Sequence, residues 1–237
     1  MNIVVTMAGS GIRFQERGYN LPKYMIEALG KTLFEWSMIS LKNFNIPNNK
    51  FIFIVRKEHE ATSFIIQKCK KLYIQNYTIV QLDELTDGQA TTALFAKKHW
   101  NKNEELLIYN IDTYVEEGEL KHSDIKGDGF IPCFKAPGTH WSFVKLNDNG
   151  MAIEVREKDR ISDNCSLGAY YFKSCKLYEE LYNDYYKNNS TRIAEKYIAT
   201  MYNQLISKGG KVFITTIPFN KIKVLGTPEE LNQFLLN

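Results

Sequence analysis

The chain has 237 residues, 44% of them hydrophobic and 24% charged, a balance typical of a soluble globular protein. The 30 basic and 27 acidic residues leave a net charge of +3, which is too small to indicate nucleic acid as the main partner. No apolar run approaches the ~20 residues that span a bilayer. The four cysteines have no CxxC spacing, so we expect neither a zinc site nor a disulfide framework.

The N-terminal half alternates predicted strands and helices. Short β-branched or apolar runs predict the strands, and apolar residues at helical spacing predict the helices. In chain order we expect a strand at 3–7, a helix at 33–44 capped by Thr32, a strand at 51–55, a helix at 58–70, a strand at 77–82, a helix at 88–100 and a strand at 106–109. Because the chain begins on this strand pattern without a basic leader, we expect a cytoplasmic protein. The alternation predicts a parallel sheet with right-handed crossovers.

The C-terminal half does not continue this alternation of strands and helices. Residues 129–172 contain several short strands, interrupted by turns at Pro137-Gly138 and at 147–150. We then expect a helical stretch at 176–208 broken near 188–190, its second part a helix at 191–207, a strand at 211–215, a short segment at 221–225 and a C-terminal helix after Thr227. Thr227 as N-cap, with Pro228 and Glu230 behind it, is typical of a helix start. The predicted fold is α/β: a Rossmann-like, mostly parallel mixed sheet flanked by helices, with a β-rich insertion that builds the far side of a cleft.

A glycine-rich turn, Gly9-Ser10-Gly11-Ile12-Arg13, follows the first predicted strand. Glycines allow the backbone to turn sharply and to aim successive N–H groups at an anion, and ligands of open α/β sheets bind at this edge. Arg13 and Lys23 can bind phosphate oxygens. The turn lacks the third glycine of a dinucleotide fingerprint and the Gly-Lys-Ser/Thr of a P-loop. By itself it also fits a simple tight turn with solvated cations.

The longer string Met7-Ala8-Gly9-Ser10-Gly11-x-Arg13-Phe14, followed by Pro22-Lys23 and Gly30-Lys31, resembles the signature of the nucleotidylyltransferases, the sugar-phosphate pyrophosphorylases. The resemblance implies one domain over 1–237, with a nucleotide-binding half at 1–115 and an acceptor-binding half at 116–237. It also implies that the glycine loop wraps a triphosphate, and that Arg13 and Lys23 neutralise the phosphates around the reacting centre.

Two further segments of the first half are similar to the family. Asp87-Gly88-Gln89 resembles the segment that reads the nucleotide base, with Gly88 and Gln89 as the candidates; the alternative is a loop and helix cap. Asn110-Ile111-Asp112 resembles the position of the Mg²⁺-binding aspartate, close to the acceptor. A carboxylate at the tip of a strand can hold a hard cation against phosphate oxygens. The alternative for Asp112 is a cap of the following turn.

The second half contains the positions that the resemblance places at the acceptor. Glu157-Lys158 is similar to the family's Glu-Lys pair, in which Lys158 would hold the attacking phosphate and Glu157 would orient the substrate. A solvated charge run at 156–160 is the alternative for all of these residues except Lys158. Gly168 begins a segment like the family's Gly-x-Tyr-x-Phe strand, which lines the substrate pocket.

The closing motif Gly226-Thr227-Pro228 matches the family, but the residues before it do not. Sugar-phosphate members usually carry there an aspartate that is a second metal ligand, whereas this chain has Lys223, Val224 and Leu225. Three alternatives follow: Asp112 and the nucleotide hold Mg²⁺ alone, another acid such as Asp163 contributes, or Lys223 supplies part of the positive charge.

The resemblance implies a cytoplasmic, Mg²⁺-dependent enzyme that joins a nucleoside triphosphate to a small phosphorylated acceptor and releases pyrophosphate. The nucleotide remains open, with CTP among the options, and so does the acceptor, a sugar 1-phosphate or a non-sugar phosphate. Short relatives often make precursors for capsule or lipopolysaccharide. A glycosyltransferase of the related fold and a non-catalytic nucleotide-binding regulatory domain are the alternatives. Monomer and homodimer both stay open.

Overall fold

A computed structural model describes residues 1–187 and 195–236. Its strands are β1 (Asn2–Thr6), β2 (Glu27–Ala28), β3 (Lys31–Thr32), β4 (Lys50–Arg56), β5 (Tyr77–Leu82), β6 (Leu106–Asn110), β7 (Thr113–Val115), β8 (Gly129–Lys135), β9 (Ser142–Leu146), β10 (Ala152–Glu157), β11 (Asn164–Ser166), β12 (Ala169–Phe172), β13 (Val212–Thr216) and β14 (Ile222–Val224). Its α-helices are α1 (Ile12–Gln15), α2 (Leu33–Ser40), α3 (Thr62–Lys71), α4 (Gln89–Leu94), α5 (Cys175–Tyr182), α6 (Ile198–Ser207) and α7 (Pro228–Leu235).

Ten strands form one sheet in the order β10-β9-β11-β8-β12-β6-β1-β4-β5, with β13 paired to β8. Strands β5, β4, β1 and β6 are parallel to one another, as the alternation in the sequence predicts. Strand β12 runs antiparallel to both β6 and β8 and so joins the two halves. The predicted α/β fold is confirmed, and the β-rich segment extends the same sheet instead of forming a separate layer.

Both faces of the parallel strands are buried. In β4, Phe51, Phe53 and Val55 belong to one buried cluster, while Ile52 and Ile54 belong to the cluster on the opposite face. Helices α2 and α3 contribute to the first cluster, and α4, α5 and α6 contribute to the second. A continuous apolar run is therefore what a strand covered on both faces requires.

The starts of α2 and α7 are set by local side-chain caps, whereas the start of α6 is set by contacts with a distant segment. Thr32 caps α2 through a complete capping box with Glu35, and Thr227 accepts a hydrogen bond from the Glu230 backbone N–H at the start of α7. The helix predicted at 191–207 is wrong at its start: α6 begins at Ile198, and Tyr197 is extended. Residues 191–194 of that prediction, and the helix break predicted near 188–190, lie outside the described residues.

A third, smaller cluster connects the glycine turn to the C-terminal helix. Phe14 of α1, Leu33 of α2, and Leu225, Leu231 and Phe234 around α7 form it. The packing holds the turn after β1 beside the chain that enters α7. Among the described residues no helix combines the length and apolar character that a membrane crossing needs.

Candidate active site

The glycine turn lies where β1 ends, and the buried side chain of Phe14 anchors it to the third cluster. Phe14 is 1% exposed, and its backbone N–H donates to the Gly11 carbonyl over 2.9 Å. Gly11 has a φ of +65°, which favours glycine. A Cβ added to Gly9 or Gly11 would meet nothing within 4 Å. The surface of the turn is therefore open, and Arg13 is exposed beside its buried anchor.

The backbone of this turn has free donors. Among residues 1–187 and 195–236, the N–H groups of Gly9, Ser10 and Gly11 have no hydrogen-bond partner. Successive backbone N–H groups in a glycine-containing turn can bind an anion. Met7 and Ala8, the other predicted nucleotide-binding residues of the turn, are buried in the two main clusters and support it from within.

Lys23 and Asp112 form an ion pair next to this turn. Lys23 begins a 3₁₀ turn after Pro22, and its Nζ lies 2.7 Å from Asp112 Oδ2. Both side chains are about one quarter exposed, at 22% and 26%. Burial raises the pKa of Asp112, but the charge and hydrogen bond of Lys23, together with the charge of Arg13, outweigh it and lower that pKa below its ordinary value. Three predicted site residues are thus electrostatically coupled.

Gln89 bridges the carboxyl ends of two neighbouring strands. Thr6 of β1 and Asn110 of β6 are register partners. The amide nitrogen of Gln89 donates to Thr6 Oγ1 over 3.1 Å and to Asn110 Oδ1. Gln89 therefore lies at the sheet edge where the resemblance places the nucleotide, with its amide already engaged by the scaffold.

Gly88 is required by a close backbone approach. Its φ is +142°, and a Cβ there would come within 2.5 Å of the backbone N and O of Lys196. The Lys196 N–H donates to the Asp87 carbonyl over 2.8 Å, and the Ala90 N–H donates to the Lys196 carbonyl over 2.9 Å. This pairing uses the backbone groups that a helix would need, which explains why α6 starts only at Ile198.

Glu157 and Lys158, which the resemblance places at the acceptor, lie at the end of β10. Ser142 Oγ donates to Glu157 Oε2, and burial raises the pKa of Glu157. Lys158 has a φ of +56°, and its Nζ donates to the Tyr197 hydroxyl over 2.9 Å. That hydrogen bond raises the pKa of Lys158. The described residues contain no direct contact between Lys158 and the Lys23–Asp112 pair.

Gly168, another predicted acceptor-binding residue, pairs with the end of β6. The Asn110 N–H donates to the Gly168 carbonyl over 2.9 Å, and a Cβ on Gly168 would lie 2.6 Å from Asn110 Nδ2. Since Gln89 also binds Asn110, the predicted base-reading residue and the predicted acceptor-lining glycine meet at one side chain.

The segment Glu195–Lys196–Tyr197 was missed by the sequence analysis. Lys196 packs on Gly88 and forms an ion pair with Asp87 at 2.7 Å, while Tyr197 contacts Lys158 and Glu195. The segment thus links the two groups of predicted residues. No local signal in the sequence distinguishes it from the first turn of a helix.

The chemistry around Asp112 fits a hard cation such as Mg²⁺. Carboxylate oxygens are its preferred protein ligands. A Cβ on Gly226 would lie 3.2 Å from Asp112 Oδ2 and 3.5 Å from Glu230 Oε2, so glycine leaves space beside both acids. Val224 packs against the core, as its apolar side chain requires. Asp163, one proposed replacement ligand, is exposed and pairs with Arg160 at 2.7 Å.

Several solved structures resemble this chain over nearly its full length. The nucleoside-diphosphate-sugar pyrophosphorylase from Vibrio cholerae RC9 is 34% identical, with a TM-score of 0.92 over 99% of this chain and 100% of that chain. The inositol-1-phosphate CTP transferase from T. maritima shares the fold at 13% identity, with a TM-score of 0.78 over 99% and 94% of the two chains. HddC from Yersinia pseudotuberculosis shares it at 16% identity, with a TM-score of 0.70 over 99% and 98%. No protein-family model and no curated protein matches the chain.

Proposed function

The chain belongs to the nucleotidylyltransferase family of nucleoside-diphosphate-sugar pyrophosphorylases, and we propose that it transfers a nucleotidyl group from a nucleoside triphosphate to a small phosphorylated acceptor. The observation that carries this proposal is the Lys23–Asp112 ion pair beside the glycine turn, together with the influence of Arg13 on Asp112. Two cations, one acid and free backbone donors then meet where β1 and β6 end.

The proposed reaction is an in-line substitution at the α-phosphorus. A phosphate oxygen of the acceptor forms a bond to that atom, while the bond from the α-phosphorus to the oxygen bridging to the β-phosphate breaks. Pyrophosphate leaves with the electron pair. A phosphate monoester is largely ionised near pH 7, so no general base is needed, and positioning with charge neutralisation provides most of the catalysis.

The chain's own residues take distinct parts in this proposal. The N–H groups of Gly9, Ser10 and Gly11 bind the triphosphate with Arg13, and Lys23 neutralises charge near the α-phosphate. Lys158 grips the acceptor phosphate, and Glu157 and Gly168 shape its pocket. Gly88 and Gln89 lie against the base. Asp112 would hold a divalent cation, which supplies further positive charge to the phosphoryl oxygens.

The substrates form the finer part of the proposal. We infer an acceptor that is a sugar 1-phosphate or another small phosphate, with CTP among the nucleotides to be tested. A product of this class serves as an activated precursor, and we place it in the synthesis of cell-surface polysaccharide. The Vibrio cholerae relative, named for nucleoside-diphosphate sugars, supports a sugar phosphate as the first acceptor to test.

A pyrophosphate-release screen tests this function. Each of the four NTPs is incubated with Mg²⁺ and a panel of sugar 1-phosphates and non-sugar phosphates, and pyrophosphate and nucleoside diphosphate are both quantified. We expect one NTP–acceptor pair to give stoichiometric pyrophosphate and a nucleotide-linked product. Nucleoside diphosphate as the product would instead indicate glycosyl transfer. Absence of turnover with every pair would contradict the proposal.

A further inference from the structure

Two helices of this protein begin with the same Thr-x-x-Glu pattern, but the two glutamates behave differently. At α2, the Glu35 carboxylate returns to its cap and accepts from the Thr32 N–H over 2.9 Å. At α7, Thr227 accepts from the Glu230 N–H over 3.2 Å, but the Glu230 carboxylate does not complete the box. Its Oε2 atom is buried and has no hydrogen-bond partner among residues 1–187 and 195–236.

Burying a carboxylate oxygen without a hydrogen-bond partner costs free energy, so the surroundings of Glu230 should contain an explanation. Glu230 Oε2 and Asp112 Oδ2 both lie within 3.5 Å of the point where a Cβ on Gly226 would be. The backbone keeps these elements together, because the Leu225 N–H donates to the Asp112 carbonyl over 2.8 Å. Two acids therefore lie beside Gly226, and among residues 1–187 and 195–236 Asp112 pairs with Lys23 whereas Glu230 has no ion pair.

Directly before the closing Gly226-Thr227-Pro228 motif, where the resemblance implies a second metal-binding aspartate, this chain has no acid. Val224 is next to Asp112 in space, as its register partner is Thr113, and it packs against the core. Glu230 reaches the same space from the first turn of α7. Mg²⁺ is commonly bound through one or two carboxylates, the substrate phosphates and several waters. Glu230 would supply the second carboxylate of such a ligand set.

We propose that Glu230 is the second carboxylate of the divalent-cation site, binding the cation together with Asp112 and the nucleotide phosphates, directly or through a water. This inference rests on the proposed function and assigns a ligand that the closing motif itself does not contain. Glu229, the neighbouring acid, is the matched control, because it is exposed and pairs with Arg17 at 2.7 Å.

Mn²⁺ binding followed by electron paramagnetic resonance tests the assignment without turnover. Wild-type protein, Glu230→Gln, Glu229→Gln and Asp112→Asn are titrated with Mn²⁺ alone and with each of the four NTPs as its α,β-methylene analogue. Thermal unfolding of each variant is recorded in parallel. Glutamine keeps the length of the side chain, and Thr227 continues to cap α7. We expect Glu230→Gln to weaken nucleotide-dependent Mn²⁺ binding about 10-fold or more, and Glu229→Gln to leave it unchanged.

The outcomes separate the two levels of the proposal. Wild-type affinity in Glu230→Gln, with loss in Asp112→Asn, would overturn the role of Glu230 and leave the proposed function intact. Mn²⁺ binding to wild-type protein that no nucleotide analogue enhances would overturn the site itself. If Glu230→Gln lowers the unfolding temperature, the double variant Val224→Asp/Glu230→Gln decides: recovery of Mn²⁺ affinity supports a carboxylate requirement, and continued loss overturns it.

Discussion

Glu35 and Asp112 are two acids that lysines stabilise, and they differ in how completely they are satisfied. Glu35, 2% exposed, accepts from the Thr32 N–H and hydroxyl and from Lys68 and Lys71. Asp112 has Lys23 as its one ion-pair partner within the described residues, and the unpartnered Glu230 oxygen lies near it. The first acid has used its acceptor capacity on the scaffold, whereas the second retains capacity for a ligand.

A lowered carboxylate pKa by itself therefore does not identify a ligand-binding site. Burial opposes ionisation in both acids, and lysines overcome it in both. What distinguishes Asp112 is its position just after the end of β6, where the charges of Lys23 and Arg13 act on it. Variants at the two acids should therefore separate stability from catalysis.

The largest expected effect is at the partner of Asp112. Lys23→Ala should lower kcat/KM for pyrophosphate release by about 100-fold, since it removes about 3 kcal/mol of charge stabilisation near the reacting phosphate. Thermal stability should change little. Lys57→Ala, which removes an exposed lysine paired with Asp83, is the control. Retention of full activity in Lys23→Ala would mean that the pair only supports the fold.

Glu35→Gln should reverse that pattern. It weakens a helix cap and two charged hydrogen bonds, so we expect the free energy of unfolding to fall by about 2 kcal/mol. Turnover per folded molecule should be unchanged. Urea unfolding and the pyrophosphate assay measure the two quantities, with the exposed Glu58→Gln as control. A loss of activity without a loss of stability would erase the distinction between the two acids.

The pH dependence of unfolding tests the contribution of the Glu35 charge to stability. Burial raises the pKa of Glu35, but Lys68, Lys71 and Thr32 lower it overall, from 4.5 to about 2. Because the pKa of Glu35 is lower in the folded state than in the unfolded state, its ionised carboxylate stabilises the fold at pH values above about 4.5. This contribution disappears as the pH falls from about 4.5 towards 2. Unfolding free energies measured from pH 6 to pH 3 should therefore fall less steeply in Glu35→Gln than in wild type. Parallel curves would contradict the charge assignment.

The smallest effect is expected at the acceptor side. Tyr197→Phe removes the hydroxyl that accepts from Lys158, and we expect the KM of the acceptor to rise about 5-fold, worth about 1 kcal/mol, with kcat preserved. Steady-state kinetics with varied acceptor measures this split. The exposed Tyr73→Phe serves as control. An equal change in the KM of the nucleotide would show that Tyr197 acts through Lys196 and Gly88 instead.

Local patterns in the sequence predicted most of the scaffold. The apolar run of β4, the glycine turn after β1 and the Thr32 cap each depend on neighbours within a few residues, and all three are confirmed. The resemblance also placed Arg13, Lys23 and Asp112 in one site, and the structure brings them into one electrostatic group. Their chemical roles remain predictions.

Contacts between distant segments could not be predicted in this way. The Lys196 backbone pairs with Asp87 and Ala90 across about a hundred residues, and this pairing overrides the helical pattern of 195–197. The attachment of β12 to both β6 and β8 likewise depends on long-range pairing. Glu230 has the spacing of a complete capping box, and only its three-dimensional surroundings reveal that its carboxylate and that of Asp112 both lie beside Gly226.

The ion pair between Lys23 and Asp112 means that the lysine carries its own counter-ion. In the proposed reaction, a phosphate that approaches Lys23 therefore meets an ammonium whose charge Asp112 already balances, and the Coulomb energy gained on binding is smaller than with an unpaired lysine. We expect this built-in counter-ion to weaken binding at Lys23 and to favour release of the nucleotide-linked product over its tight retention.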